Sequence, residues 1–261
     1  MKCIRSFISS IQELFDHIIP NNHPEIGNVR SPPIPTISLK DYIVGCSYLC
    51  MLSYQYVTKE QFIEESIKCG LPLINMPWLH STKIDCLQPG IIKIECPNVI
   101  YIVIRGTATI VDHLTNMLHV KYVHTGWMKE AFQIASKDDY ALMKECKQAG
   151  KPIIITGHSK GGLVATYLYM LFHFCTKPEL HSSQVYCILF GTPSFFPKEY
   201  TEYVKDSIIH IANHNDILAH VTRNEYCGKY TTIYVGSTDL NPKEWKKAHS
   251  IKEYVRLIHT K

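Results

Sequence analysis

The chain has 261 residues, of which 46% are hydrophobic and 19% charged, and its formal net charge is +4. A chain of this length can bury an adequate core within one large domain. Because the positive charge is modest and the lysines are dispersed, we do not expect a nucleic-acid-binding surface. A mild attraction to an anionic membrane is compatible with this charge.

The first predicted element is an amphipathic helix that ends near residue 20. Acidic residues such as Glu13 and Asp16 interrupt its apolar stretch, so neither a signal peptide nor a membrane span is predicted. A Pro-rich linker, Pro20 to Pro35, follows. We therefore divide the chain into residues 1–36, helix and linker, and residues 37–261, a single domain. The helix is expected to pack on its own domain, with anchoring at a membrane interface as the alternative.

Ten cysteines are present, and many lie in apolar runs, as Cys46, Cys50, Cys175 and Cys187 do. They form no CxxC pair and no zinc-like spacing with histidine. We interpret them as reduced core residues of a cytoplasmic protein, with peripheral membrane contact or secretion by another route left open. No metal and no organic cofactor is inferred.

The remaining elements alternate between helices and apolar strands. After a helix over Tyr42 to Tyr56, strands are expected near 99–104, 152–156, 184–190, 207–212 and 231–235, and helices near 128–147, 161–175 and 249–259. This alternation is typical of an α/β fold with a mostly parallel central sheet flanked by helices.

The most informative motif lies between a predicted strand and a predicted helix. Residues Gly157 to Gly162 read Gly-His-Ser-Lys-Gly-Gly and follow the β-branched run Ile153 to Ile155. Gly-x-Ser-x-Gly in this context is typical of a nucleophile elbow, a turn that holds the serine in an unusual backbone conformation. Ser159 is therefore the predicted nucleophile.

A serine nucleophile needs a base, usually histidine, and a carboxylate that orients the base. In hydrolases with this elbow the order along the chain is serine, acid, histidine. Asp216 ends the turn-forming cluster that starts at Asn213, after a predicted strand, and His249 opens the final amphipathic stretch. We predict Asp216 as the acid and His249 as the base, with Glu225 or Asp239 as alternative acids.

Fourteen histidines make the base a choice among several. His210 lies within a strand pattern, and His259 is nearly terminal. His214 and His220 are so close in sequence to the predicted acid that they could not easily approach it from another loop. These considerations favour His249.

Five motifs in this order resemble those of the class 3 lipases, the fungal-type triacylglycerol lipases with an α/β-hydrolase core. Besides the elbow and the acid segment, the similar segments are Ile102-Val-Ile-Arg-Gly-Thr107, Val123-His-Thr-Gly-Trp127 and Phe190-Gly-Thr-Pro193. Together they cover roughly residues 95–255. The resemblance implies an α/β-hydrolase fold and cleavage of lipid acyl esters. The elbow is also similar to that of a bacterial family of lipase-like proteins of poorly defined substrate.

The resemblance also implies an oxyanion hole. One donor is expected to be the backbone N–H of Lys160, which follows the nucleophile at a helix N-terminus, and the second Thr107, through its N–H with or without its hydroxyl. Family members usually carry leucine in place of Lys160, whose ammonium is either solvated or favours an anionic substrate. Arg105 is expected to pair with a carboxylate that holds the loop.

Residues Ile110 to Leu118 show one apolar face of a short helix. Family lipases place a mobile lid after the Arg-Gly-Thr turn, so this helix is read as a lid, with a fixed core helix as the alternative.

The sequence thus predicts a serine carboxylic-ester hydrolase of lipase type that forms an acyl-enzyme on Ser159, acts on acylglycerols or phospholipids and needs no cofactor. Two alternatives remain: a catalytically silent lipase-like module that binds a lipid or a protein, and an acyltransferase or peptidase with the same triad. The acyl-chain length, the head group and the oligomeric state are left open.

Overall fold

The computed structural model describes residues 39–54, 61, 83–88, 91–96, 98–106, 123–174, 184–196, 206–220, 222–227, 231–239 and 241–259. The predicted N-terminal helix and linker, Thr107 and the predicted lid helix lie outside these residues. The domain division at residue 36 therefore stays a prediction.

A central sheet of seven strands organises the described part of the chain. The strands in chain order are β1 (Lys83–Gln88), β2 (Ile91–Glu95), β3 (Ile100–Ile104), β4 (Ile153–His158), β5 (Val185–Phe190), β6 (Ser194–Phe196), β7 (Ile208–Asn213), β8 (Thr222–Cys227) and β9 (Thr231–Val235). The central sheet has the order β1-β2-β3-β4-β5-β7-β9, and β6 pairs with β8 in a separate small sheet. Pairing is antiparallel from β1 to β3 and parallel from β3 to β9.

Helices cover both faces of this sheet. They are α1 (Leu39–Ser53), α2 (Val123–Gln148), α3 (Lys160–Phe174), α4 (Trp245–Ala248) and α5 (Ile251–His259), with 3₁₀ turns at Ile217–His220 and Pro242–Glu244. Helices α2 and α3 pack together against one face, and α1 and α5 pack together against the other. The prediction of a mostly parallel sheet flanked by helices is confirmed.

The central strands are buried on both faces because each face has its own helix layer. On β3, for example, Ile102 and Ile104 belong to the α2/α3 side of the core, whereas Tyr101 and Val103 belong to the α1/α5 side. A parallel strand covered on both sides is expected to be a continuous apolar run. This is why the strands predicted from such runs agree with the structure to within one or two residues.

The boundaries that differ from prediction are at the ends of helices and at the sheet margin. Helix α1 begins and ends about three residues before the predicted span, α2 begins at Val123, and the antiparallel strands β1 and β2 were not predicted. The last helix begins two residues later than the predicted span near 249–259. His249 is the C-cap of the short helix α4, where its N–H donates to the Trp245 carbonyl at 2.8 Å, and α5 begins only at Ile251.

Buried thiols occur in several of these layers. Among the described residues, the free cysteines are Cys46, Cys50, Cys96, Cys146 and Cys187, and all are buried. Burial raises the pKa of the Cys50 thiol to about 12, so this group stays protonated and packs as a small apolar side chain. No helix in the described ranges combines the length and apolarity needed to span a bilayer.

Candidate active site

The turn at Ser159 has the strained geometry that the elbow sequence predicts. Strand β4 ends at His158 and α3 begins at Lys160, so Ser159 stands alone between them with a left-handed φ of 56°. This region of backbone space is costly for a residue with a side chain. The Ser159 N–H donates to the Phe190 carbonyl of β5 at 3.0 Å, and its carbonyl accepts from the Gly162 N–H at 3.0 Å.

Two glycines of the elbow allow α3 to start directly against the sheet. A Cβ on Gly157 would overlap the backbone of Gly161, and a Cβ on Gly161 would overlap the Ile104 carbonyl at the end of β3. Any larger residue would therefore push the helix away from the strands. The glycines thus place Ser159 at the carboxyl end of the parallel strands, where α/β proteins build their sites.

The structure brings Ser159, His249 and Asp216 together in one hydrogen-bonded line. His249 Nε2 lies 2.9 Å from Ser159 Oγ, and His249 Nδ1 lies 2.8 Å from Asp216 Oδ2. All three side chains are buried. With the carboxylate ionised, Nδ1–H donates to Asp216, which leaves Nε2 free to accept the serine proton.

Asp216 receives two further hydrogen bonds. The Tyr254 hydroxyl donates to Oδ2 at 2.7 Å, and the Leu218 N–H donates to Oδ1 at 3.0 Å. Burial alone would raise the pKa of the Asp216 carboxyl, but the hydrogen bond and charge of His249 and the Tyr254 hydroxyl together lower it. The carboxylate therefore stays ionised and holds the imidazole in the required tautomer.

Tyr254 is a site residue that the sequence analysis treated only as part of an apolar helix face. Its ring is fully buried, and its oxygen accepts the Asn213 N–H at 3.0 Å while its proton goes to Asp216. Burial, with the charge of Asp216, raises the pKa of Tyr254, so the hydroxyl remains a donor. Gly191, with φ 54°, leaves room for the Tyr254 ring and the Asp216 carboxylate.

Asn213 ties the acid turn to the base turn. Its side-chain Nδ2 donates to the Ala248 carbonyl at 3.1 Å, directly before His249, and its Oδ1 accepts the Asn215 N–H at 3.1 Å. One amide thus fixes the turn that carries Asp216 and the chain that leads into His249.

His158, which is buried, and Tyr54, which is partly buried, form a second hydrogen-bonded line behind the triad. His158 Nε2 lies 2.7 Å from the His249 carbonyl oxygen, and Nδ1 lies 2.9 Å from the Tyr54 hydroxyl. Burial, then the nearby His249, lowers the pKa of His158 to about 3. The neutral ring therefore donates from Nε2–H to the carbonyl and accepts at Nδ1 from Tyr54.

The Tyr54 oxygen in turn accepts the backbone N–H of Gly106. This bond connects the end of the Arg-Gly-Thr turn to the elbow and to the base. In the sequence, His158 is the unspecified position before the serine, and no local pattern singles out Tyr54. The sequence analysis therefore missed both residues.

The other candidate histidines are engaged elsewhere. His210 Nε2 accepts the Thr192 N–H at 3.2 Å. His214 and His220 both stack on the exposed Tyr234 ring, at centroid distances of 4.9 and 5.9 Å.

His259 packs edge-on against Tyr48. Of the alternative acids, Asp239 is exposed in a turn where its N–H donates to Ser237 Oγ, and the side chain of Glu225 lies outside what the structure describes. Among the acids considered, the contacts thus place Asp216 on the base.

Of the two predicted oxyanion donors, the structure describes Lys160. Lys160 opens α3, so its N–H is one of the first amides of the helix, which lack a partner within it. Its side chain does not extend alone into solvent, because Nζ lies 2.7 Å from Glu130 Oε2 on α2. Thr107 lies outside the described residues, so its role stays a prediction.

The donor set fits acyl transfer rather than metal binding. Within the described ranges, no three His, Cys, Asp or Glu side chains lie close enough to hold a metal ion. A buried serine, a histidine and an ionised carboxylate in hydrogen-bond contact are the parts that a serine nucleophile requires.

Comparison with known proteins agrees with this geometry. Residues 101–226 match the family model described as Lipase (class 3). No curated protein matches the sequence closely enough to count as a relative.

Solved lipase structures share the fold. Lipase II from Rhizopus niveus has a TM-score of 0.55 at 15% identity, over 84% of this chain and 94% of that one. Lip2 lipase from Yarrowia lipolytica has a TM-score of 0.54 at 16% identity, and the match covers 80% of this chain and 82% of that one. The triacylglyceride lipase of Rhizomucor miehei has a TM-score of 0.51 at 16% identity, and the match covers 85% of this chain and 95% of that one.

These identities are low, and the structures therefore show the α/β-hydrolase fold alone. The family match adds the elbow, the Phe-Gly-Thr-Pro turn and the segment of the acid, all within residues 101–226. Residues 101–226, which hold the elbow and the acid segment, are thus similar to the class 3 lipases.

Proposed function

We propose that the protein hydrolyses carboxylic esters of lipids through an acyl-enzyme on Ser159. The observation that carries the proposal is the buried line from Ser159 through His249 to Asp216, with contacts of 2.9 and 2.8 Å. The match of residues 101–226 to the class 3 lipase model supports the same reaction. The Rhizomucor miehei neighbour is a triacylglyceride lipase, which favours an acylglycerol.

In the first half of the reaction, Ser159 Oγ attacks the ester carbonyl while His249 Nε2 takes its proton. Asp216 stabilises the imidazolium that forms. The negative charge on the carbonyl oxygen is stabilised by the Lys160 N–H and by Thr107, whose roles we carry over from the family. Collapse of this intermediate, with the proton returned from His249, releases the alcohol.

In the second half, water attacks the acyl-enzyme. His249 removes a proton from the water, and the second tetrahedral intermediate breaks down to release the fatty acid and regenerate Ser159. No step needs a metal or an organic cofactor.

The test is covalent labelling followed by turnover. We expect a fluorophosphonate probe to label the full chain and to fail on Ser159→Ala. We also expect p-nitrophenyl esters of increasing chain length to be cleaved, with kcat/KM rising toward long chains. Labelling that persists in Ser159→Ala would show that another residue is the nucleophile. A parent chain that neither labels nor cleaves any ester would leave the silent lipid-binding module as the better description.

An acyltransferase is distinguished in the same assay. Added glycerol or a long-chain alcohol would capture the acyl group of a transferase in preference to water, and the product would be an ester. A hydrolase releases mainly free fatty acid.

We also propose a reducing compartment, with contact at a lipid surface during turnover. The buried free thiols support the first point, and the mild positive charge supports the second. Fractionation of cells that express the full chain tests both.

A further inference from the structure

The residue after the nucleophile carries a charge of the wrong sign for its position. Lys160 is the first residue of α3, and a cation at a helix N-terminus meets the positive end of the helix dipole. Its ammonium lies 2.7 Å from Glu130 Oε2 on the neighbouring helix α2, and the two side chains are 34% and 33% exposed. Glu130 therefore offsets an otherwise unfavourable charge beside the elbow.

The charge is close enough to the reaction centre to influence a substrate. Adjacent Cα atoms are about 3.8 Å apart, so an extended lysine keeps its ammonium within roughly 10 Å of the Ser159 backbone, about one Debye length at physiological salt. The other neighbour of the nucleophile, His158, is buried and neutral. On the elbow triplet His158-Ser159-Lys160, the lysine is thus the cationic side chain.

We propose that Glu130 is a specificity-determining residue: its ion pair with Lys160 keeps the ester site selective for uncharged esters. Without Glu130, the free ammonium attracts substrates that carry a carboxylate or phosphate near the scissile bond. This inference rests on the proposed ester hydrolysis and names the charge class of its substrate. It also gives Lys160 a side-chain role, whereas the reaction itself uses only its backbone N–H.

The test compares two esters that differ by one charge, p-nitrophenyl methyl adipate and p-nitrophenyl hydrogen adipate, in the full-length chain. In Glu130→Gln, the ratio of kcat/KM for the anionic over the neutral ester should rise about five- to tenfold at low salt and return toward the parent ratio in high salt. The double variant Glu130→Gln/Lys160→Met lacks the cation, and its ratio should match that of the parent. Thermal melting verifies that each variant folds. If Glu130→Gln does not fold, Glu130→Met replaces it in the same comparison.

Equal changes for both esters in Glu130→Gln would overturn the inference and leave the pair as a clamp between α2 and α3. The inference also fails if the double variant keeps the raised ratio, because the ammonium would then not be the cause. Ester hydrolysis itself is judged separately from the parent. A parent that labels with fluorophosphonate and cleaves the neutral ester sustains the proposed function whatever the ratios show, whereas a parent inactive on both esters removes the function and this inference together.

Discussion

The two faces of the central sheet support the active site in different ways. On the α2/α3 face the core is largely apolar, and helix α3 begins directly at the nucleophile. On the α1/α5 face the core includes the buried Tyr254, and the partly buried Tyr54 packs against it; their hydroxyls bond Asp216 and His158. Ser159 is therefore held by backbone geometry, whereas His249 and Asp216 are held by side-chain hydrogen bonds.

This difference has an energetic consequence. Truncating a buried apolar side chain lowers stability roughly in proportion to the volume removed. A buried polar network depends on every member, since one missing partner leaves another group unsatisfied in a medium of low dielectric. We therefore expect mutations of the polar network on the α1/α5 face to disturb catalysis at a distance. Mutations of equally buried residues in the α2/α3 core, away from the Glu130–Lys160 pair, should affect stability alone.

The largest effect should come from Ser159, His249 and Asp216, the three residues that the backbone geometry and the side-chain hydrogen bonds hold in place. Ser159→Ala and His249→Ala should each lower kcat about 10⁵- to 10⁶-fold, and Asp216→Asn about 10⁴-fold, because triad members act as a unit. Turnover of a p-nitrophenyl ester, with folding verified by circular dichroism, measures this. If His220→Ala were fatal and His249→Ala harmless, the base would be misassigned.

The next largest effect concerns acid stability, which both faces should share. Burial lowers the pKa of His158 to about 3 and that of His210 to about 4, from an ordinary 6.5. Below pH 6.5 the unfolded chain therefore binds protons that the folded chain does not, so stability falls as the pH falls from 6.5 toward 4, by about 1 kcal/mol per pH unit for each histidine. Asp216, whose pKa is lowered, adds to this loss only below about pH 4, since it must then be protonated.

Urea unfolding between pH 7 and 4.5 measures how steeply the free energy of unfolding falls with decreasing pH. His158→Gln and His210→Gln should each make this fall shallower, whereas His259→Gln, at an exposed position on α5, is the control and should leave it unchanged. Only His158→Gln should also lower kcat, because His158 bonds the His249 carbonyl. If neither buried-histidine variant changed the pH dependence of the unfolding free energy, other groups would cause the loss of stability at low pH.

A smaller effect compares one tyrosine hydroxyl on each face. Tyr254→Phe removes the donor to Asp216 and leaves the Asn213 N–H unsatisfied, so it should cost about 1–3 kcal/mol of stability and lower kcat about tenfold. Tyr169→Phe on α3 breaks an equally buried bond to Ser207 Oγ, at 2.6 Å, and should cost similar stability without lowering kcat. Equal losses of kcat in the two variants would contradict the expectation that only the hydrogen bonds on the α1/α5 face support catalysis.

The smallest effect is expected at Tyr54, two hydrogen bonds away from the base. Tyr54→Phe removes the hydroxyl between His158 Nδ1 and the Gly106 N–H, and kcat should fall about threefold with KM little changed. Stopped-flow measurement of acylation separates this from a change in binding. A rise in KM with unchanged kcat would assign Tyr54 to substrate binding instead.

The parts of the fold that the sequence predicts well are those in which local pattern and burial agree. Strands β3, β4 and β5 are apolar runs because both of their faces are covered. Strand β2 was missed because Lys93 lies in its centre, where a lysine is not expected to be buried. In the structure Lys93 is 3% exposed and pairs with Glu145 of α2 at 2.5 Å, a partner 52 residues away along the chain.

By itself the sequence predicted Ser159 as the nucleophile and determined the turn that carries it, since an elbow is local geometry set by a strand, two glycines and a helix within a few residues. It also favoured Asp216 as the acid and His249 as the base, with Glu225 and Asp239 left as alternative acids. Only the tertiary structure decided which contacts they make, because the serine and the base are 90 residues apart. Tyr254, His158 and Tyr54, and the pairing of Glu130 with Lys160, emerged only there, since side chains on separate elements meet through the packing of helices on both sheet faces and no local pattern records that packing.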